Sequence, residues 1–224
     1  MWLRLPNINI SQLPEDIRFT VLLLAGYFAA KDRKVLLVGG CIRDMYMGIP
    51  PKDFDVEIFN WSGGDNLYSE VDWSSGNNLY SMGMIKEDLD RLQLEYDTVG
   101  EAFGVIKLKH LPIDISLPRR ENKRGVGHKD FEVEILEGLT VEEAAKRRDF
   151  TMNSMSFDPL ENALYDPFAG RAAIDNGILH PTDLYTFIDD PLRVLRGFQF
   201  AARFNMKATY ELTQIARDNI NCHE

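Results

Sequence analysis

The sequence predicts an α/β (α+β) chain: a mixed sheet with helices, followed by a helical segment. Two patterns carry this. Short strand-like runs crowd the middle of the chain, and two strong helical periods close it. The scale agrees, because 224 residues, 45% of them hydrophobic, can bury a core without disulfide staples.

Taken in order, residues 14–30 place apolar side chains at helical spacing, with Pro14 in a first-turn position and Glu15 and Asp16 behind it. Lys34 to Val38 is a short apolar run stopped by Gly39-Gly40, a strand ended by a turn. Cys41 to Gly48 suits a short helix. Asp53 to Phe59 alternates strictly, with Asp53, Asp55 and Glu57 on one face and Phe54, Val56 and Ile58 on the other. Trp61 to Ser69 recurs as Trp73 to Ser81, a local duplication in a surface insertion over about 61–82. A helix is expected over 84–95 and strands over 103–109, 111–117 and 131–136. A polar, basic loop fills 118–130. Thr140 to Glu143 forms a capping box that starts a helix, with Arg147 and Arg148 near its far end. Met152 to Phe157 and Ala163 to Tyr165 read as strands joined by a turn at Asp158-Pro159. Residues 190–204 and 209–220 read as helices.

Composition narrows the function classes. The net charge of −10 argues against a surface that binds nucleic acid all over, since phosphate contacts need positive charge. A local patch remains at Lys107, Lys109, Arg119, Arg120, Lys123, Arg124 and Lys129; charge alone favours reading it as a solvated loop. The apolar run from Val21 to Ala30 is broken by Gly26 and Tyr27 and is too short to span a bilayer. The N-terminus lacks the features of a signal peptide. The two cysteines, Cys41 and Cys222, suit a reducing compartment. A cytoplasmic chain with no membrane partner is expected.

Asp53-Phe54-Asp55 is the chemical centre. Two aspartates two apart on a strand point the same way and can share a hard cation, which takes oxygen ligands. Two such ions about 3.5–4 Å apart can activate a hydroxyl and stabilise a leaving pyrophosphate. A lone pair of this kind is weak evidence, but its context adds to it. Backbone N–H groups at Gly39 and Gly40 can cradle phosphate, and Arg43 brings a guanidinium fork one helical turn on. Asp114, between Ile113 and Ile115, is a candidate third carboxylate, costly to bury without a partner; Glu57 is the alternative.

Leu37 to Asp44 with Gly48 and Asp53-Phe54-Asp55-Val56 resembles motif A of the class II tRNA nucleotidyltransferases and bacterial poly(A) polymerases, within the DNA polymerase beta superfamily. Arg147 to Asn153 resembles motif B, Asp166 to Gly170 the start of motif C, and Asp189 to Arg193, running into Arg196 and Phe200 to Phe204, motif D. The likeness covers about 35–205. It implies a five-stranded mixed head sheet over 1–182 and a helical neck beginning at 183–224, with body and tail domains absent. It implies template-independent addition of C and A to tRNA 3′ ends, with Mg2+ as cofactor, CTP and ATP as substrates, and missing C-terminal domains or a partner to grip the tRNA. Asp53 and Asp55 would hold metal, with Asp114 completing the catalytic set. Gly39, Gly40 and Arg43 would meet the nucleotide, Arg148 its phosphates and Asp149 its ribose, with Asn153 in support. Asp190, Arg193 and Arg196 would complete the nucleotide site. The loop resembles the flexible loop of bacterial members, so Arg119, Arg120, Lys123 and Arg124 are candidate RNA contacts.

The base-reading implication has a chemical basis. Asp190 and Arg193 are three apart and share a helix face. A carboxylate only accepts and a guanidinium only donates. Cytosine and adenine each offer an amino donor beside a ring-nitrogen acceptor; uracil and guanine offer the reverse and leave buried groups unpaired. Some positions depart from the family pattern: Asp189 stands where Glu is usual, and Ala173-Ile174 and His180 stand where Asp-Leu and Arg are usual. CC-only addition, A-only addition, poly(A) synthesis and a non-catalytic nucleotide or RNA binder are the competing readings. The loop leans against CC-only addition.

Overall fold

The computed structural model describes residues 2–5, 8–60, 80–101, 104–123, 131–135 and 139–221. The duplicated insertion lies outside them except for its last residues. There, Tyr80 is buried and Ser81 caps a helix by accepting from the Met84 N–H.

Eight strands form the main sheet: β1 (Trp2–Leu3), β2 (Arg33–Val38), β3 (Phe54–Asn60), β4 (Tyr96–Asp97), β5 (Val105–Leu108), β6 (Ile113–Ser116), β9 (Ser156–Asp158) and β10 (Ala163–Tyr165). Their order is β1-β10-β9-β2-β3-β6-β5-β4. The pair β3–β6 is parallel and its neighbours are antiparallel, so the sheet is mixed as expected. It has eight strands and not five; its two edge strands, β1 and β4, are two residues long and too short to leave a sequence pattern.

Each face of the sheet has its own cover. Helix α1 (Glu15–Ala29) buries Ile17, Val21, Leu24 and Phe28 in the main core with Leu37, Val56 and Ile58. A fully buried side chain of this size contributes about 1.5–3 kcal/mol. Pro14 precedes the helix as its N-cap, where its missing N–H costs nothing. Helix α4 (Val141–Lys146), opened by a complete Thr140–Glu143 capping box, covers Leu36, Val38 and Phe59 on the other face. Helices α2 (Gly40–Tyr46) and α3 (Met82–Arg91) follow β2 and the insertion.

Two local expectations change. The expected loop over 118–130 begins as strand β7 (Arg119–Lys123), paired with β8 (Phe131–Ile135) in a separate hairpin. Its polar sequence has no apolar alternation, so only the partner's backbone ladder defines it. Residues 151–153 form a single 3-10 turn and the strand starts at Ser156. Asp149 accepts from both the Phe150 N–H and the Asn153 amide, which winds this stretch.

Helix α5 (Gly170–Asp175) and strand β11 (Ile178–Leu179) lead into α6 (Leu184–Phe187), α7 (Leu192–Phe204), β12 (Lys207–Ala208) and α8 (Tyr210–Asn221). A second core joins Phe187, Val194, Met206 and Leu212 to Phe150, Met152 and Leu179. Phe150 meets the rings of Phe187 and Phe200 edge-on, with centroids 5.3 and 5.6 Å away, and β11 pairs with β12. The helical segment is thus tied to the sheet region through shared packing.

Candidate active site

The site is built on β3 and the turn before α2. Register places Asp55 beside Asp114 across the parallel pair and beside Val38 across the antiparallel one. Val38 leads directly into Gly39, which has φ +77°, a backbone that favours glycine. A Cβ on Gly39 would stand 3.4 Å from Asp55 Oδ2. The turn therefore leaves the carboxylate uncovered.

A cavity of about 660 Å3 opens over this edge. Its lining includes Gly39, Gly40, Arg43, Asp53, Asp55, Arg148, Asp149, Asn153, Asp190, Arg193 and Arg196, so the structure brings these predicted residues together. Asp114 is not in that lining; it stands at the adjoining strand, where Lys107 Nζ donates to its Oδ2 at 2.8 Å. Arg124 lies outside the described residues, and of Arg119, Arg120 and Lys123 only strand backbone is described.

Polar contacts link the lining into a network. Arg43 is buried, with Nε donating to Asp44 Oδ1 at 2.8 Å and a terminal nitrogen to Asn153 Oδ1 at 2.7 Å. Asn153 Nδ2 donates to Asp149 Oδ1 at 2.9 Å, and Arg196 Nε donates to Asp149 Oδ2 at 2.7 Å. A carboxylate has about four lone-pair sites, so Asp149 retains acceptor capacity beyond these bonds. Arg193 donates to the carbonyls of Thr186 and Arg147, at 3.0 and 2.9 Å. Asp190 Oδ1 accepts from the Leu192 N–H at 3.0 Å.

Sequence reading gave no role to several parts of this cleft, although Arg147, Phe200 and Arg203 stand within the motifs it quoted. Phe200 lines it, and the Arg43 guanidinium lies 5.3 and 4.7 Å from the ring centres of Phe200 and Phe204. These two aromatics sit four apart on α7, a spacing that signals a shared face, but nothing local shows that the face meets Arg43. Lys52, Arg147 and Arg203 also line the cleft. Asp44 was visible only as a motif letter. Glu57, weighed as an alternative metal ligand, instead takes Arg147 and Arg148 on its two oxygens.

Electrostatics mark Asp55 as short of positive charge. The residue is exposed at the cleft mouth, while its neighbours Phe54 and Val56 on the strand are buried. Burial first, and then the charges of Asp114, Glu57 and Asp53, push its carboxyl above the ordinary value, while Arg148 pulls the other way. Burial and the Asp55 charge push the Cys41 thiol up to about 12, so it is an inert core group. Among the described residues no three His, Cys, Asp or Glu side chains already converge on a metal position. The all-oxygen pair Asp53 and Asp55, crowded by like charge and left open by Gly39, fits a hard divalent cation. No helix among the described residues is long and apolar enough to cross a membrane.

Residues 35–180 match the poly A polymerase head domain. A multifunctional CCA protein of Nitrosococcus oceani is 33% identical over 178 residues, covering 80% of this chain and 37% of that protein. A CCA-adding enzyme of Francisella tularensis is 32% identical over 194 residues, covering 85% and 46%. The chain thus spans less than half the length of these relatives. A CCA-adding enzyme solved with ATP superposes with TM-score 0.72 at 21% identity, over 99% of this chain and 46% of that one. The Thermotoga maritima CCA-adding enzyme complexed with tRNA gives 0.66 at 22%, over 93% and 44%. At such identity the likeness is one of fold. Together with the match over 35–180, it means that this chain belongs to the poly A polymerase head domain family.

Proposed function

We propose that the chain is the catalytic head, with the start of a helical neck, of a template-independent RNA nucleotidyltransferase that adds C and A to tRNA 3′ ends. One observation carries the reading: a single cleft gathers the Asp53–Asp55 pair, the Gly39–Gly40 turn, Arg43, Arg148 and the Asp190–Arg193 helix face. The relatives named as CCA-adding enzymes support it. So do fold neighbours solved with ATP and with tRNA. The proposed division is a head over 1–182 and a neck from 183, in keeping with the second core around α6–α8. A cytoplasmic location is proposed with it, in keeping with a buried free Cys41.

In this reaction the RNA 3′ oxygen attacks the α-phosphorus of CTP or ATP, the bond to the β-phosphate oxygen breaks, and pyrophosphate leaves. Magnesium held by Asp53 and Asp55 would supply the charge that activates the hydroxyl and neutralises the leaving group. Asp114, in register with Asp55, adds negative charge at the same edge. Gly40 offers a backbone N–H group, that of Gly39 being given to the Met155 carbonyl at 3.3 Å, and Arg43 and Arg148 offer guanidinium donors, to the phosphates. Asp149, fixed by Asn153 and Arg196, accepts from the ribose. Asp190 accepts from the base amino group while Arg193 donates to the ring nitrogen, which selects C and A. Arg119, Arg120, Lys123 and Arg124 are proposed RNA contacts.

The test is extension of a tRNA transcript ending at its discriminator base, with magnesium and each nucleotide alone, then CTP with ATP. Growth by two C and one A supports the reading. Stopping after CC, adding A only to a pre-made CC end, or running on with A selects a relative of that activity. No extension at high enzyme and low salt rejects catalysis by this chain.

A further inference from the structure

Glu57 is an acid on the catalytic strand that the proposed chemistry does not use. It lies two residues past Asp55 on the same face of β3, and its side chain is 2% exposed. Each of its oxygens takes a different arginine: Oε1 accepts from Arg147 at 2.6 Å, Oε2 from Arg148 at 3.1 Å. The other terminal nitrogen of Arg148 donates to the carbonyls of Asn153 and Met155, at 3.4 and 3.3 Å. Arg148 is therefore held from the strand on one side and from the 153–155 turn on the other.

These contacts decide between two roles for the carboxylate. As a metal ligand, Glu57 would bring a divalent cation against two guanidinium groups already bonded to both of its oxygens. As an anchor, it satisfies its own burial through those same groups. It also removes the rotamer freedom that two long side chains would otherwise lose when a nucleotide binds. Both arginines line the cleft beside Asp55.

We propose that Glu57 is a positioning residue that aims Arg147 and Arg148 into the cleft before the nucleotide triphosphate arrives. It acts through the arginines and touches no reacting atom. The inference rests on the reading that Arg148 meets the phosphates.

The test compares the unaltered chain with Glu57→Gln and Glu57→Asp. Calorimetric affinities for CTP and for inorganic triphosphate are measured with thermal melting, and KM and kcat with RNA extension. Glutamine keeps the shape but offers one acceptor oxygen and no charge. Both ligands should bind on the order of tenfold more weakly, with KM rising by a similar factor and kcat holding. Unchanged affinity for both ligands in folded Glu57→Gln overturns the proposal, as does a loss confined to kcat. Should the glutamine variant fail to fold, Glu57→Asp decides. It keeps the charge but is one methylene short of holding both arginines, so it should weaken both ligands, and unaltered affinity overturns the role. No binding of CTP or triphosphate by the unaltered chain overturns this inference and the reading beneath it together.

Discussion

Asp55 and Asp88 are both acidic side chains, and the chain treats them in opposite ways. Asp88, on α3, is 2% exposed and fully provided for. Tyr27 and Tyr80 donate to it at 2.8 and 2.7 Å, Arg91 at 2.9 Å, and Lys31 also pairs with it. Burial raises its pKa, but hydrogen bonds from Lys31, Tyr80 and Tyr27 outweigh that and hold the carboxyl below its ordinary value. Asp55 has acids for neighbours, Arg148 as its main opposing charge, and a pKa held above its ordinary value. A carboxylate that already has its cations is part of the frame. One crowded by other carboxylates beside an open cleft is left short of positive charge, which is what the proposed cation would supply.

Substitutions test this contrast first in activity. Asp53→Ala or Asp55→Ala should reduce extension by roughly a thousandfold or more, the scale of losing several kcal/mol of transition-state charge stabilisation. Melting should be unchanged or slightly raised, because like-charge crowding is relieved. Extension that survives either change breaks the metal assignment. Asp88→Ala should do the reverse. It strands Tyr27, Tyr80 and Lys31 and should cost about 2–4 kcal/mol in denaturant unfolding, while nucleotide affinity of the folded fraction stays the same.

Cation linkage sharpens the contrast further. Magnesium at about a hundred times its Kd should stabilise the chain by roughly 2.7 kcal/mol, read as a higher melting temperature. That shift should vanish in Asp55→Ala and persist in Asp88→Ala. The two carboxyls should also pull stability in opposite directions with pH. Asp88, with its lowered pKa, contributes stability that is complete above its unfolded value of 3.8 and lost as pH falls through the folded one. Asp55, with its raised pKa, opposes folding above its folded value and stops doing so as pH falls through it towards 3.8. Urea unfolding from pH 6 down through 3.8 should therefore show a shallower acid-side decline in Asp88→Asn, the remainder coming from groups such as Asp183, whose carboxyl is also held below its ordinary value, and the full decline in Asp55→Asn. The smallest effect belongs to Arg91→Ala. That side chain is 61% exposed, so despite its bond to Asp88 the loss should stay within about 1 kcal/mol.

The legible parts of fold and site were those written in local patterns. Alternation put Asp55 and Glu57 on one face of β3, and Gly39-Gly40 ended β2 in a turn. Thr140 and Glu143 opened α4 because a capping box is complete within four residues. The seam between β3 and β6 was not legible, because a strand pattern carries no register, and only pairing sets Asp114 beside Asp55. Strand β8 was legible, expected over 131–136 and observed at Phe131–Ile135, but its partner β7 was not, because the polar run Arg119–Lys123 has no period to read.

Sequence by itself picked out the residues proposed to carry the chemistry: the aspartates of the strand, the glycines of the turn, and the arginines and Asp149 that follow α4. Spacing along a strand or helix fixes such local geometry whatever the rest of the chain does. Only the tertiary structure decided whom they meet. Glu57 bonds arginines 90 and 91 positions away, Arg43 bonds Asn153 across 110, and Lys107 takes Asp114. Such contacts come from packing and sheet order, which bring distant segments together and which no local period records.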